Sequence, residues 1–186
     1  MSARLDSAST RRWLFPAALG LAILGADQVS KRWAVATLGP NPRDHVIPLV
    51  GDWFNLVYTQ NTGIAFGLFQ NLPQLFTLTS ILITAGAVYA YAVYLPNRSP
   101  WVQTAMGLIL GGAVGNILDR LRLGYVIDFV SVGWWPVFNL ADSAITVGVT
   151  MLAAYLIFVG DEPAPSLPPP PRDDGLLSEL LSRDLE

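Results

Sequence analysis

Long apolar runs alternate along the chain with short polar or glycine-rich breaks. The first run extends from Trp13 to about Leu38, and Asp27, Ser30, Lys31 and Arg32 interrupt its second half. Leu75 to Leu95 contains 21 residues and no charge, enough at 1.5 Å per residue to cross a hydrocarbon core about 30 Å thick. Residues 101–119 and 139–159 repeat that pattern, so four transmembrane helices are predicted. In residues 44–69 the pattern turns β-like: His45–Val50 and Trp53–Thr59 are β-rich runs on either side of Gly51-Asp52, a hairpin signal, and Pro48 confines the first run to an edge. Trp53, Phe54, Tyr58, Phe66 and Phe69 suit the headgroup level, which predicts a small sheet on the membrane surface. Tyr125–Val130 reads as a short extended segment, and Gly133-Trp-Trp-Pro136 as an interfacial turn. The expected fold is an all-α polytopic membrane protein with four spans, a small β-sheet cradle and short extended segments on the outer face. Residues 1–160 form the membrane domain. Beyond them the composition shifts to a proline-rich tail over 161–186, expected to be a disordered cytoplasmic spacer.

Composition narrows the classes. The chain is 52% hydrophobic and only 13% charged, with mean hydropathy +0.44, too apolar for an ordinary soluble domain. It has no cysteine and one histidine, His45, which excludes thiolate chemistry and leaves little from which to build a metal centre. No cofactor is implied. A net charge of −3 without a basic patch gives no support to nucleic-acid binding. Arg11-Arg12 ahead of an apolar run also resembles a twin-arginine export signal with Leu24-Gly25-Ala26 as cleavage site; the run continues past Ala26, and basic flanks of a span give the same pattern. Four spans put both termini on one side. Basic residues divide six to five between the two sides, and Arg11, Arg12 and Arg98, closest to the spans, assign the termini to the cytoplasm.

Chemistry must then come from carboxylates, amides and a few cations. Asp119, Asp128 and Asp142 lie in apolar sequence, where an uncompensated charge costs several kcal/mol. Asp27 and Lys31 are four apart on one helical face and can pair with each other or with a third group. Gly107, Gly111 and Gly115 recur every fourth residue, a small-residue stripe for close helix approach that Asp119 continues; Gly112, Asn116 and Arg120 form the adjacent stripe. For Asp119 a structural ion pair with Arg120 or Arg122 is expected. Asn139 is a good N-cap, which puts Asp142 at the third helical position near the positive end of the helix dipole. Asp142 can serve simply as a capping residue there, but Asp128 fourteen residues upstream makes an aspartic dyad across a water the preferred reading. Rival readings are a Ser-Lys hydrolase using Lys31 with Ser30 or Ser143, a small proton- or ion-coupled carrier with intramembrane carboxylates as relay, and a non-enzymatic assembly factor.

Five blocks, taken together, carry a family resemblance: Asp27-Gln-Val-Ser-Lys31, Asn61-Thr-Gly-Ile-Ala-Phe66, Gly111-Gly-Ala-Val-Gly-Asn-Ile-Leu-Asp-Arg120, Val126-Ile-Asp-Phe129 and Phe138-Asn-Leu-Ala-Asp-Ser143. In this order the chain resembles the prolipoprotein signal peptidases, signal peptidase II. The resemblance implies an intramembrane aspartic endopeptidase of the bacterial cytoplasmic (inner) membrane, with its active site at the outer leaflet. Its substrate would be a prolipoprotein bearing a diacylglyceryl-modified cysteine, cut just before that cysteine. The resemblance makes Asp128 and Asp142 the catalytic pair and puts Asn61, Gly112, Asn116, Arg120 and Asn139 at the substrate or inhibitor site or in its support. Asp27, Lys31 and Asp119 become structural support. It further implies membrane lipids as surroundings, a monomer, no metal, and inhibition by cyclic peptides such as globomycin. The segment joining Asp128 to Asp142 is shorter than in many relatives, and the proline-rich tail has no counterpart in the family pattern.

Overall fold

The structure, a computed structural model, describes residues 7–39, 46–63 and 73–159. Four helices form its body: α1 (Ser7–Leu38), α2 (Pro73–Val93), α3 (Pro100–Leu123) and α4 (Leu140–Phe158). Each is long and apolar enough to cross a membrane. Three strands, β1 (Ile47–Val50), β2 (Phe54–Asn61) and β3 (Val126–Val132), make one antiparallel sheet in the order β1-β2-β3. The hairpin and the edge position of Pro48 are as the sequence predicts, with Gly51 at φ +49° in the turn. The extended segment after α3 is the third strand of the same sheet, paired along β2.

The central helix is α3, which packs against the other three. Its glycines set the spacing. Gly111 lies so close to α1 that an added Cβ would stand 2.6 Å from the Gly20 carbonyl. Gly112 faces α4, where an added Cβ would collide with the Ala141 carbonyl. One turn on, at Gly115, a Cβ would meet the Asp27 carboxylate at 2.6 Å. Adjacent stripes of small residues therefore seat two different helices, as backbone contact in a bilayer requires.

Two element ends differ from expectation. α1 begins at Ser7 rather than near Trp13 and runs through Leu24-Gly25-Ala26 without a break. Within it, Pro16 has no N–H to give the Arg12 carbonyl, and the buried Tyr91 hydroxyl of α2 donates to that oxygen instead, at 2.7 Å. The Trp13 ring meets Tyr91 edge-on at 4.8 Å. α3 runs four residues past the expected 119, to Leu123, and stops where Gly124 adopts φ +82° and donates to the Arg120 carbonyl. Asp119 and Arg120 thus sit in the helix body, not in a frayed polar end.

The sheet covers the C-terminal end of α1. Tyr58, expected at the headgroup level, instead packs inward with Ala34, Leu38, Ile127 and Phe129. Strand side chains alternate between faces, and Tyr58 is on the face turned toward α1. Trp53, Trp134 and Trp135 stay exposed. His45, Phe66, Phe69 and the 161–186 tail lie outside the described residues.

Candidate active site

Asp128 and Asp142 come from different kinds of element and are joined by one asparagine. Asp128 is in the middle of β3, opposite Thr59 of β2, and Asn61 two residues along β2 donates its amide to the Asp128 Oδ2 at 2.8 Å. After β3 the chain turns back, and Phe138 bridges to Val130 with its N–H to the Val130 carbonyl at 3.0 Å and the return bond at 2.8 Å. That bridge sets Asn139 beside Asp128. Asn139 is also the N-cap of α4, where a capping box forms: its side-chain oxygen accepts from the Asp142 N–H at 2.9 Å and its own N–H donates to Asp142 Oδ2 at 3.2 Å. The Asn139 amide donates to Asp128 Oδ1 at 2.7 Å, so one fully buried residue holds both carboxylates.

A second layer of polar groups lies behind them. Asn116 of α3 donates to Asp142 Oδ1 at 2.7 Å, and its oxygen accepts from Lys31 at 3.0 Å and from Asn139 at 3.2 Å. Lys31, 1% exposed, also contacts Asp27 at 2.9 Å and Asp119 at 2.8 Å. Its three protons therefore have three acceptors. Asp27 caps the start of α4 from α1, accepting from the Ala141 N–H at 3.1 Å, and Asp119 accepts from the Ile127 N–H at 3.3 Å. The expected pairing of Asp119 with Arg120 or Arg122 is not formed. Residues adjacent on a helix point about 100° apart, so Asp119 follows the Gly115 face toward α1 while Arg120 follows the Gly112–Asn116 stripe. The Ser-Lys alternative is not assembled either: Ser30 donates to the Asp27 carbonyl and Ser143 to the Asn139 carbonyl, while Lys31 is fully engaged elsewhere.

The two acids have different surroundings. Burial pushes the Asp128 carboxyl up to about 6 from its ordinary 3.8. The Asn61 hydrogen bond pulls it back, the nearby Asp142 charge pushes it further up, and Asn139 and Lys31 offset part of the rise. Asp142 has instead the backbone amide of Asn139 and the N-terminal end of α4. The Arg120 guanidinium donates to the Asn116 carbonyl at 3.4 Å, and its buried Nε has no partner among the described residues. Asn116 and Arg120 line one end of a mostly apolar cavity of about 450 Å³ between α2, α3 and α4, whose other polar residues, Ser80 and Thr84, turn their hydroxyls to helix carbonyls. The arrangement can thus offer a carboxyl with a raised affinity for a proton, a second carboxyl oriented by amides, a guanidinium N–H without a partner, and an apolar chamber within the membrane span.

All ten residues singled out from the sequence belong to this assembly, Gly112 as the point where α3 meets α4. One member escaped that reading: Gln28, whose amide donates to Asp119 at 3.0 Å and to Asp27 at 3.2 Å. A neutral amide in a helix gives no charge signal. The i+1 neighbour of Asp27, inside a motif already noticed, was the available hint.

Known proteins resemble this chain over most of its length. The family described as signal peptidase (SPase) II matches residues 19–158. A lipoprotein signal peptidase of Moorella thermoacetica is 42% identical over 144 residues, covering 77% of this chain and 93% of that protein. One of Rhodococcus jostii is 40% identical over 147 residues, covering 76% and 71%. A solved bacterial membrane enzyme superposes with a TM-score of 0.67 at 26% identity, covering 82% of this chain and 94% of that one. A second does so with a TM-score of 0.67 at 27% identity, covering 77% and 92%. Four apolar spans, a three-stranded sheet and a match over nearly the whole described chain make this a multi-pass membrane protease, and the chain belongs to the signal peptidase II family.

Proposed function

We propose that this protein removes signal peptides from diacylglyceryl-modified bacterial prolipoproteins, with Asp128 and Asp142 as a catalytic dyad that cuts before the lipidated cysteine. The single observation that carries the reading is Asn139, which bonds Asp128 through its side chain and Asp142 through its backbone, so that the two acids share one neighbour. Two close carboxyls do not both ionise cheaply, and one proton between them gives an acid and a base. Asp142, oriented by Asn116 and the Asn139 N–H, is the base that takes a proton from water. Asp128, with its raised affinity for a proton, donates to the scissile carbonyl oxygen. Water oxygen bonds to the carbonyl carbon and a neutral tetrahedral diol forms. On collapse the C–N bond breaks, Asp142 returns its proton to the leaving cysteine amine, and Asp128 recovers one from a diol hydroxyl. The dyad is then restored.

Arg120 and the side-chain amide of Asn61 line the substrate backbone while the buried Asn139 supports them through the two acids, and the unpartnered Arg120 Nε supports the role of Arg120. The apolar cavity beneath them suits a membrane-embedded part of the substrate. With Arg11, Arg12 and Arg98 cytoplasmic, the dyad end of the bundle faces the outer leaflet of the cytoplasmic membrane. The protein acts as a monomer without metal, and a cyclic peptide of the globomycin type competes for the same site. The test is cleavage of a lipid-modified precursor peptide and of its unmodified twin by purified protein. Asp128→Asn and Asp142→Asn are each expected to reduce cleavage of the lipidated peptide by at least about 10³-fold in a folded, inserted protein. Undiminished activity in either variant, or equal cleavage of both peptides, overturns the proposal.

A further inference from the structure

A second cavity, of about 360 Å³, opens between α1, α3 and the sheet, with no lining residue from α2 or α4. Its apolar wall includes Val35 and Leu123. Its polar wall includes Arg32, Arg122 and the tyrosines Tyr58 and Tyr125, whose hydroxyls are 3.5 Å apart. Arg32 and Arg122 are exposed, and among the described residues neither has an ion-pair or hydrogen-bond partner. Both lie toward the end of a membrane span, Arg32 six residues before the end of α1 and Arg122 one before the end of α3. Lys31 and Asp119 form the floor. Asp27 and Asp119 exceed Lys31 by a single negative charge, which the two arginines outweigh, so the mouth is left cationic.

We infer that this cavity is a binding site for one anionic phospholipid, its phosphate between Arg32 and Arg122 and its acyl chains along the apolar groove beside Val35 and Leu123. Unpaired arginines at the headgroup level attract anionic lipid. Guanidinium groups match phosphate oxygens geometrically, and of the two tyrosine hydroxyls, one donating to the other, the second keeps a neutral donor for a glycerol or ester oxygen. An apolar wall inside the span favours a lipid over a soluble phosphate.

Native mass spectrometry of the full chain released from detergent, titrated with phosphatidylglycerol or phosphatidylcholine of matched chains, tests this directly. Phosphatidylglycerol should be retained as one adduct in preference to phosphatidylcholine. Arg32→Gln/Arg122→Gln should weaken its retention about 25-fold, roughly fivefold for each arginine. Arg98→Gln, at the other end of the bundle, should leave it unchanged, and inorganic phosphate at millimolar concentration should not displace the lipid. Equal retention of the two lipids, wild-type retention by the double variant, an equal loss with Arg98→Gln, or displacement by phosphate would each overturn the assignment. Both arginines are exposed and unpartnered, so the variants keep the fold, and the readout does not depend on peptidase activity.

Discussion

Replacing Asp128 with asparagine should make the protein more stable near neutral pH while removing the proposed acid. The side chain is 1% exposed, and its carboxyl is raised from 3.8 to about 6. A raised carboxyl keeps its proton in the folded state after the unfolded chain has lost it. Below pH 3.8 both states are protonated and Asp128 contributes nothing to the pH dependence. Between 3.8 and about 6 the folded state binds more protons, so stability falls as pH rises. Above about 6 the full penalty is present, about 3 kcal/mol at 1.36 kcal/mol per pH unit. Asparagine removes that penalty. It also offers one acceptor where the carboxylate offered two, so one of the amides of Asn61 and Asn139 loses its partner, at about 1 kcal/mol. Asn61 is exposed and can turn to water, which leaves a net gain of about 2 kcal/mol at pH 8. Unfolding of both proteins in the same detergent, followed from pH 4 to pH 8, gives the difference curve. The variant should gain on the wild type between pH 4 and about 6 and keep a constant lead from there to pH 8. Parallel curves, or a wild type that gains with rising pH, would refute the assignment of a raised carboxyl to Asp128.

Lys31→Met removes the ammonium that Asp27 and Asp119 share and should destabilise the fold by about 3 kcal/mol, with part of the loss recovered in Lys31→Met/Asp119→Asn; detergent unfolding of both variants measures it. Asn139→Ala removes the cap of α4 and the Asp128 contact together, and is expected to cost about 1 kcal/mol in stability and at least about 10²-fold in peptide cleavage, read in parallel assays. Gly112→Val forces α3 away from the Ala141 carbonyl and should lower stability by about 1–3 kcal/mol, whereas Gly25→Ala, inside α1 with open space around it, should not lower the thermal midpoint and gains up to about 1 kcal/mol.

What the sequence disclosed depended on how local each interaction was. The capping box at Asn139 and Asp142 and the pair Asp27–Lys31 are contacts within one helical turn, so residue spacing was sufficient to find them. The Gly111 and Gly112 stripes announced two close helix contacts because only missing side chains permit them. Asp119 was different. Its sequence neighbours Arg120 and Arg122 were the visible cations, yet its partner lies on another helix, and the choice depends on which way the Gly115 face turns. The Tyr91 hydroxyl was equally hidden: Pro16 announces that the Arg12 carbonyl lacks its helical donor, but not which residue will supply one. Tyr58 was read by residue type, as an interfacial aromatic, when strand parity decides its face.

The orientation of the two site asparagines follows from groups that cannot reverse their roles. An ammonium and a backbone N–H only donate. Lys31 therefore requires the Asn116 oxygen to face it, which turns the Asn116 NH2 toward Asp142. The Asp142 N–H likewise requires the Asn139 oxygen, which turns the Asn139 NH2 toward Asp128. Each carboxyl of the proposed dyad thus faces an amide donor whose direction is fixed by a group that can only donate, the Lys31 ammonium for Asn116 and the Asp142 backbone N–H for Asn139. Without the ammonium, Asn116 is free to rotate its oxygen toward Asp142, and two acceptors would then face each other. Lys31 never touches Asp142, yet its three protons set both the charge balance of Asp27 and Asp119 and the polarity that Asp142 meets. The coupling runs through one amide, which ties the buried lysine of α1 to the acid proposed to act at the start of α4.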